Sequence, residues 1–301
     1  MLEYQNVSIE EKKEICIDNL SMKVPDGAIL CLVGGDHRGR DMLTEAGAGN
    51  RRPDSGRILI DDMDLYEETD QLYSRIGYMT GYPGNYHDIT VYEYYEMALS
   101  LYRIKGRNRR KRIEKVLADF SLEDYADRYV EDLPADLMPM FSLGKTILHE
   151  PGWLLLNQPF AGLDAEGRAR IVNVLLPLHE QGVSMIMNTE MYPDLLGFVT
   201  DIAVIEDGKT IMDGQIEEVY ENVLRRSPVN MKILSGMDEA LAVLKEDELV
   251  DRVTVNGHEV IFRFRGDEKE EADLLADLVK AGALVQSYTR DRIIINEMFR
   301  G

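Results

Sequence analysis

The run Ala28-Ile29-Leu30-Cys31-Leu32-Val33 passes without interruption into Gly34-Gly35-Asp36-His37-Arg38-Gly39-Arg40-Asp41. This apolar run predicts a strand, and strands that alternate with helices along a chain imply a parallel sheet covered on both faces. The glycine spacing that follows is that of the loop G-x-x-x-x-G-K-[ST]. In that loop backbone N–H groups and a helix N-terminus cradle phosphate, while Lys and Ser/Thr serve the nucleotide and Mg²⁺. Two chemical positions differ here. Arg40 replaces Lys with a wide planar fork, and Asp41 replaces the hydroxyl with a negative charge. The helix is expected to begin near Met42, beyond the loop. Taken alone, the loop reads equally well as an ordinary glycine-containing strand-to-helix turn.

The same alternation of strand and helix continues along the chain. EICIDNLSMKV and GRILI are β-rich, and helical periodicity runs from about residue 90 to 131. A buried strand GWLLLNQP, a helix from about Ala165 to Gln181, and strands in VSMIMNT, DIAVIEDG and GKTIMDG follow. Near Ser227 and Pro228 the pattern resets into MDEALAVLKEDE (helix), a hairpin about Asn256-Gly257, EADLLADLVKAG (helix) and RIIINEMF (strand). The expected domains are therefore residues 1–227, with a helical insertion at about 90–140, and a small α+β domain at 228–301. With 301 residues, 45% of them hydrophobic, each has enough chain for its own core.

Charge narrows the function. The 34 Lys+Arg against 55 Asp+Glu leave a net charge of −21, which repels phosphate backbones and argues against a nucleic-acid partner. No apolar run approaches the ~18 residues of a membrane span, and the first residues lack a basic-then-apolar leader pattern, so a cytoplasmic protein is expected. Cys16 and Cys31 lie in apolar segments and read as reduced core thiols. His37, His87, His149, His179 and His258 have no metal-like spacing partners and receive no role.

Further motifs stand in a fixed order: RPDSGRILIDDMDL (52–65), RIGYMTGYPGNYHDITVYEYYEMA (75–98), EDLPADLMPMFSLGKTILHEPGWLLLNQPFAGLDAEGR (131–168), SMIMNTEM (184–191) and TDIAVIEDGKTIMDG (200–214). With the glycine loop, this series resembles the nucleotide-binding subunit of ABC transporters over about residues 1–225. The tail resembles the small domain of subunits serving ABC-2-type exporters. The resemblance implies an α/β, P-loop NTPase-like domain with a mostly parallel sheet, helical insertion and C-terminal α+β domain.

It also implies site positions, and the residues there depart from the family pattern. Gly34, Gly35, Asp36, His37, Arg38, Gly39, Arg40, Asp41 and Met42 form the degenerate Walker A segment. The Walker B Asp-Glu pair is replaced by Asn157-Gln158; an amide keeps the shape but accepts no proton at neutral pH, so Gln158 cannot be a general base. The signature Leu-Ser-Gly-Gly-Gln becomes Leu133-Pro134-Ala135-Asp136-Leu137, where Pro134 loses a donor and Asp136 places a carboxylate where a γ-phosphate would approach. Gly81 stands at the Q-loop glutamine, Glu190 at the switch histidine, and residues 9–14 offer no adenine-stacking aromatic. Ala161-Gly162-Leu163-Asp164 retains the D-loop. No intact catalytic residue is expected. ATP and Mg²⁺ are the implied ligands, with weak or absent binding expected.

The leading expectation is a catalytically degenerate cassette subunit, peripheral on the inner face of the cell membrane through an ABC-2-type permease. It would pair with an intact ATPase subunit or with itself. The alternatives are an active transport ATPase in which Asp41 ligates Mg²⁺, and a binding regulator. Tyr78, Tyr82, Tyr86, Tyr92, Tyr94 and Tyr95 surround the segment that in the family lines the permease groove, and are read as part core, part docking surface. Met138, Met140, Met185, Met187 and Met191 are read as core fillers, and the basic run Arg103–Arg112 as a solvated helix face.

Overall fold

The computed structural model describes residues 1–67, 72–80, 87–190, 193–219 and 228–290. Gly81, Tyr82, Tyr86, Met191 and the expected strand RIIINEMF lie outside the described residues. Contacts gather the chain into two compact units, one built on Met1–Ile216 and one on Glu217–Met298.

In the first unit, β1 (Leu2–Glu11), β2 (Glu14–Val24), β4 (Ser55–Ile60) and β5 (Met63–Asp64) form an antiparallel sheet of order β2-β1-β4-β5. The second sheet takes β3 (Ile29–Val33), β6 (Ile76–Met79), β7 (Trp153–Asn157), β8 (Ser184–Asn188), β9 (Asp201–Glu206) and β10 (Lys209–Gln215) in the order β10-β9-β3-β8-β7-β6. Its strands are parallel except for the edge strand β10. The runs that lack alternation are the ones buried along their whole length: every residue of β3, β7 and β8 is buried. Helix α1 (His37–Gly47) follows β3 and sets Met42, Leu43 and Ala46 into the core between the two sheets, where the buried Tyr4 hydroxyl donates to the Leu43 carbonyl at 3.0 Å.

The insertion consists of α2 (Val91–Leu101), α3 (Gly106–Asp119) and α4 (Met138–Ile147). A capping box starts α2: the Thr90 hydroxyl accepts from the Glu93 N–H, and the Glu93 carboxylate accepts from the Thr90 N–H. Tyr95 stacks on Phe141 at a centroid distance of 5.4 Å, tying α2 to α4. The basic run lies largely solvent-exposed on α3. Helix α5 (Ala165–Glu180) joins β7 to β8. Cys16 and Cys31 are free and buried, and Met140, Met185 and Met187 are core residues as expected. Among the described residues no helix is long and apolar enough to cross a membrane.

The second unit runs β11 (Pro228–Ser235), α6 (Met237–Glu246), β12 (Val250–Asn256), β13 (Glu259–Phe264), α7 (Glu268–Lys280), β14 (Leu284–Arg290). The sheet is antiparallel with order β12-β13-β11-β14, the split β-α-β-β-α-β arrangement. Its hairpin turns at Asn256-Gly257 as the sequence predicts, and Val229, Met231, Ile233, Val260, Phe262 and Phe264 supply the core. Strand β14, in ALVQSYTR, is one that the sequence pattern does not announce.

Candidate functional site

The carboxyl ends of β3, β7 and β8 meet at Gly34, Asn157 and Asn188, the edge at which open α/β sheets bind ligands. Gly34 has φ +119°, and a Cβ there would meet the Ile205 carbonyl oxygen at 2.0 Å, so only glycine lets the chain leave β3 against β9.

The residues beyond it are not a loop. Helix α1 begins at His37 rather than near Met42, because Asp36 acts as its N-cap: the Asp36 Oδ1 accepts from the Gly39 N–H at 2.8 Å. The Arg40 N–H donates to the Asp36 carbonyl at 3.2 Å and the His37 N–H to the Gly35 carbonyl at 3.0 Å. Three N–H groups that a phosphate would use are thus paired within the chain, one of them with a carboxylate that occupies the anion position at a helix N-terminus. Gly39 belongs to the same closure, since a Cβ on it would lie 2.4 Å from the Asp36 Oδ2.

Arg40 does not reach outward. Its side chain is fully buried; Nη1 donates to the Leu32 carbonyl at 3.0 Å and the Thr189 carbonyl at 3.4 Å, and Nη2 donates to His37 Nδ1 at 2.6 Å, which puts the imidazole proton on Nε2. Burial lowers its pKa from the ordinary arginine value, opposed by Asp41, Asp36 and Glu190 among others. Asp41 accepts from the Asn188 amide at 2.5 Å, and that amide also donates to Asn157 Oδ1 at 3.0 Å. Asn157 in turn hydrogen-bonds Asp41 and Tyr78. Asn188 was not among the candidates from sequence; a polar residue closing the apolar run SMIM was its only signal.

Desolvation raises the Asp41 pKa above the ordinary 3.8, and the hydrogen bonds only partly oppose it. A carboxylate raised in the folded state binds its proton more tightly there than in the unfolded chain. It therefore costs stability as pH rises through the shifted value, and costs nothing well below 3.8. Asp41→Asn is expected to raise the thermal midpoint at pH 7, with the gain shrinking on acidification towards pH ~4. A midpoint equal to wild type at pH 7 would contradict this.

The remaining candidates lie apart from this cluster or at its margin. Gln158 takes φ +54° and its N–H donates to the Asn188 carbonyl at 2.8 Å. Glu190 is half-buried two residues beyond β8. Pro134, Ala135 and Asp136 are exposed just before α4, whose N-cap Leu137 supplies no side-chain bond. Asp164 is exposed and caps α5, accepting from the Gly167 N–H at 2.8 Å. Asp164→Ala should lose about 1 kcal/mol in urea unfolding, the usual value of such a cap. Among the described residues no group of three or more His, Cys, Asp or Glu could hold a metal ion.

At the mouth, Arg38 bridges α1 to the tip of the β1–β2 hairpin. Its Nη2 lies 2.7 Å from Glu11 Oε2 and its Nη1 2.9 Å from Glu14 Oε2, and Arg51 joins Glu11 to Glu45. The Arg38 guanidinium holds the Glu11 carboxyl below the ordinary glutamate value.

A groove of about 400 Å³ lies between β6, α2 and α4. Tyr78 and Tyr94 line it, and Met97, Leu101 and Tyr102 reach its rim with exposures of 48%, 79% and 38%. His149, stacked on Tyr102 at 3.9 Å and bonded to the Ile76 carbonyl, has its pKa pushed down to about 4 by burial and is neutral.

The ABC transporter family profile matches residues 17–161. A probable sulfate/thiosulfate import ATP-binding protein of Chlorella vulgaris is 27% identical over 72% of this chain and 92% of its own length. A Nod factor export ATP-binding protein of Cupriavidus metallidurans is 22% identical over 94% of this chain and 91% of its own length. A dimeric ATP-binding cassette solved in a post-hydrolysis state with ADP and Pi superimposes with a TM-score of 0.65 at 21% identity, covering 72% of this chain and 99% of that one; at this identity the likeness establishes the fold.

Proposed function

On the premise that this chain carries an ATP-binding-cassette domain of the ABC transporter family, we propose that it serves an ABC-2-type exporter permease as a degenerate, non-hydrolysing subunit. One observation carries the reading: the helix N-terminus that would hold phosphate is closed by Asp36, with the His37, Gly39 and Arg40 N–H groups already paired. The residues present do not suit Mg-ATP. Arg40 points into the core, Asp41 is bonded to amides, and Gln158 takes no proton. Export rather than import is favoured because the Nod factor export protein aligns over 94% of the chain, whereas the sulfate import protein aligns over 72%. The apolar groove beside α2 supports a permease partner, and the exposed loop about Asp164 supports pairing with an intact ATPase subunit or a second copy. On this reading the protein works at the cytoplasmic face of the membrane, held there through its permease.

Two measurements test the proposal together. The purified chain should release no phosphate from Mg-ATP at steady state, and it should co-purify from detergent extracts with a polytopic membrane protein. Steady turnover abolished by Gln158→Ala would overturn the first half, and recovery with soluble proteins alone would overturn the second.

A further inference from the structure

The groove beside α2 contains one charged side chain among its described lining residues, and it is a lysine. Lys145 sits on α4, half-buried, and makes no hydrogen bond or ion pair with any described residue. Burial lowers its pKa from the ordinary lysine value. His149 is neutral, and no carboxylate is among the described residues that line the groove, although the chain carries 55 Asp and Glu residues. Seating an apolar helix over this ammonium would strip its remaining water and leave a buried charge uncompensated, which costs several kcal/mol. A carboxylate delivered by the incoming segment offsets that cost with a charge-assisted hydrogen bond in a site screened from salt.

Resting on the reading of this chain as a permease-docking subunit, we infer that the cytoplasmic helix of the permease that fills this groove presents an Asp or Glu side chain to Lys145. Met97, Leu101 and Tyr102 at the rim supply the apolar contact for the same helix. Contact area comes from the rim, and register comes from the single ion pair, because only one placement of the helix brings its acid to Lys145.

The test uses the full chain in the cells that make it, with the photo-crosslinking amino acid p-benzoylphenylalanine at Leu101. The crosslinked peptide is sequenced by mass spectrometry. The expected product is a cytoplasmic segment of a polytopic membrane protein with an Asp or Glu within one helical turn of the crosslink. Lys145→Glu should cut the yield about tenfold, Lys145→Arg should keep it, and reversing the partner's acid to Lys should restore yield in the Lys145→Glu chain. Thermal melts of the variants within a few degrees of wild type separate this loss from misfolding. A crosslink to a polytopic protein whose segment carries no acid, or an acid whose reversal fails to rescue, overturns the ion pair and leaves the permease reading standing. A crosslink confined to soluble proteins overturns both.

Discussion

Titration of Mg-ATP into the 301-residue chain should give no saturable heat below about 1 mM. Micromolar affinity corresponds to about 8 kcal/mol and millimolar to about 4. Hydrogen bonds to charged groups contribute roughly 1.5–3 kcal/mol each, so withholding the His37, Gly39 and Arg40 N–H groups is enough to span that difference. A phosphate entering here would also have to displace the Asp36 carboxylate from the helix end it already stabilises. The closure predicts how binding could be regained. Asp36→Asn should change little, because Asn caps a helix as well as Asp does and would keep the first turn wound. Asp36→Ala with His37→Gly removes the cap and weakens the first turn by roughly 1–2 kcal/mol, freeing the segment to open. Adding Arg40→Lys and Asp41→Ser to that pair should then improve Mg-ATP affinity by at least about tenfold over the same two changes made in the closed helix. A low-micromolar constant for the wild-type chain would end this account.

Where the helix starts is also where spacing and structure part. The glycines at 34 and 39 stand in phosphate-loop register, and register alone places the helix near Met42. The competing signal was present: an Asp immediately before residues that can enter a helix is an N-cap pattern, and local capping won over loop spacing. The parallel strands were legible because β3, β7 and β8 are buried on both faces and need no alternation. Strand β14 was not, because ALVQSYTR mixes polar residues into both faces of an edge strand. Asn188 and Lys145 could not be assigned from sequence, since their meaning lies in what surrounds them. One is an amide joining Asp41 to Asn157, and the other is an ammonium in a groove whose described lining residues include no acid.

The second large effect concerns pairing. In the family this chain resembles, each nucleotide lies between the phosphate loop of one subunit and the signature segment of the other. Restoring Arg40→Lys, Asp41→Ser, Asn157→Asp and Gln158→Glu repairs one side of such a site. It should yield no cooperative ATP turnover in a homodimer, for two independent reasons. Asp36 would still close the first turn of α1, and the facing surface would still present Pro134, Ala135 and an exposed Asp136 before an α4 that lacks a side-chain cap. A carboxylate brought toward nucleotide phosphate opposes closure by like-charge repulsion, which costs several kcal/mol when desolvated. Turnover should require Pro134→Ser, Ala135→Gly, Asp136→Gly and Glu190→His, together with Asp36→Ala and His37→Gly. Because a positioned base contributes about 10²–10⁴-fold, phosphate release by the fully repaired chain should exceed that of the same chain keeping Gln158 by about that factor. If the four core changes alone gave robust cooperative turnover, neither the closed helix nor Asp136 would be a barrier to ATP turnover in this chain.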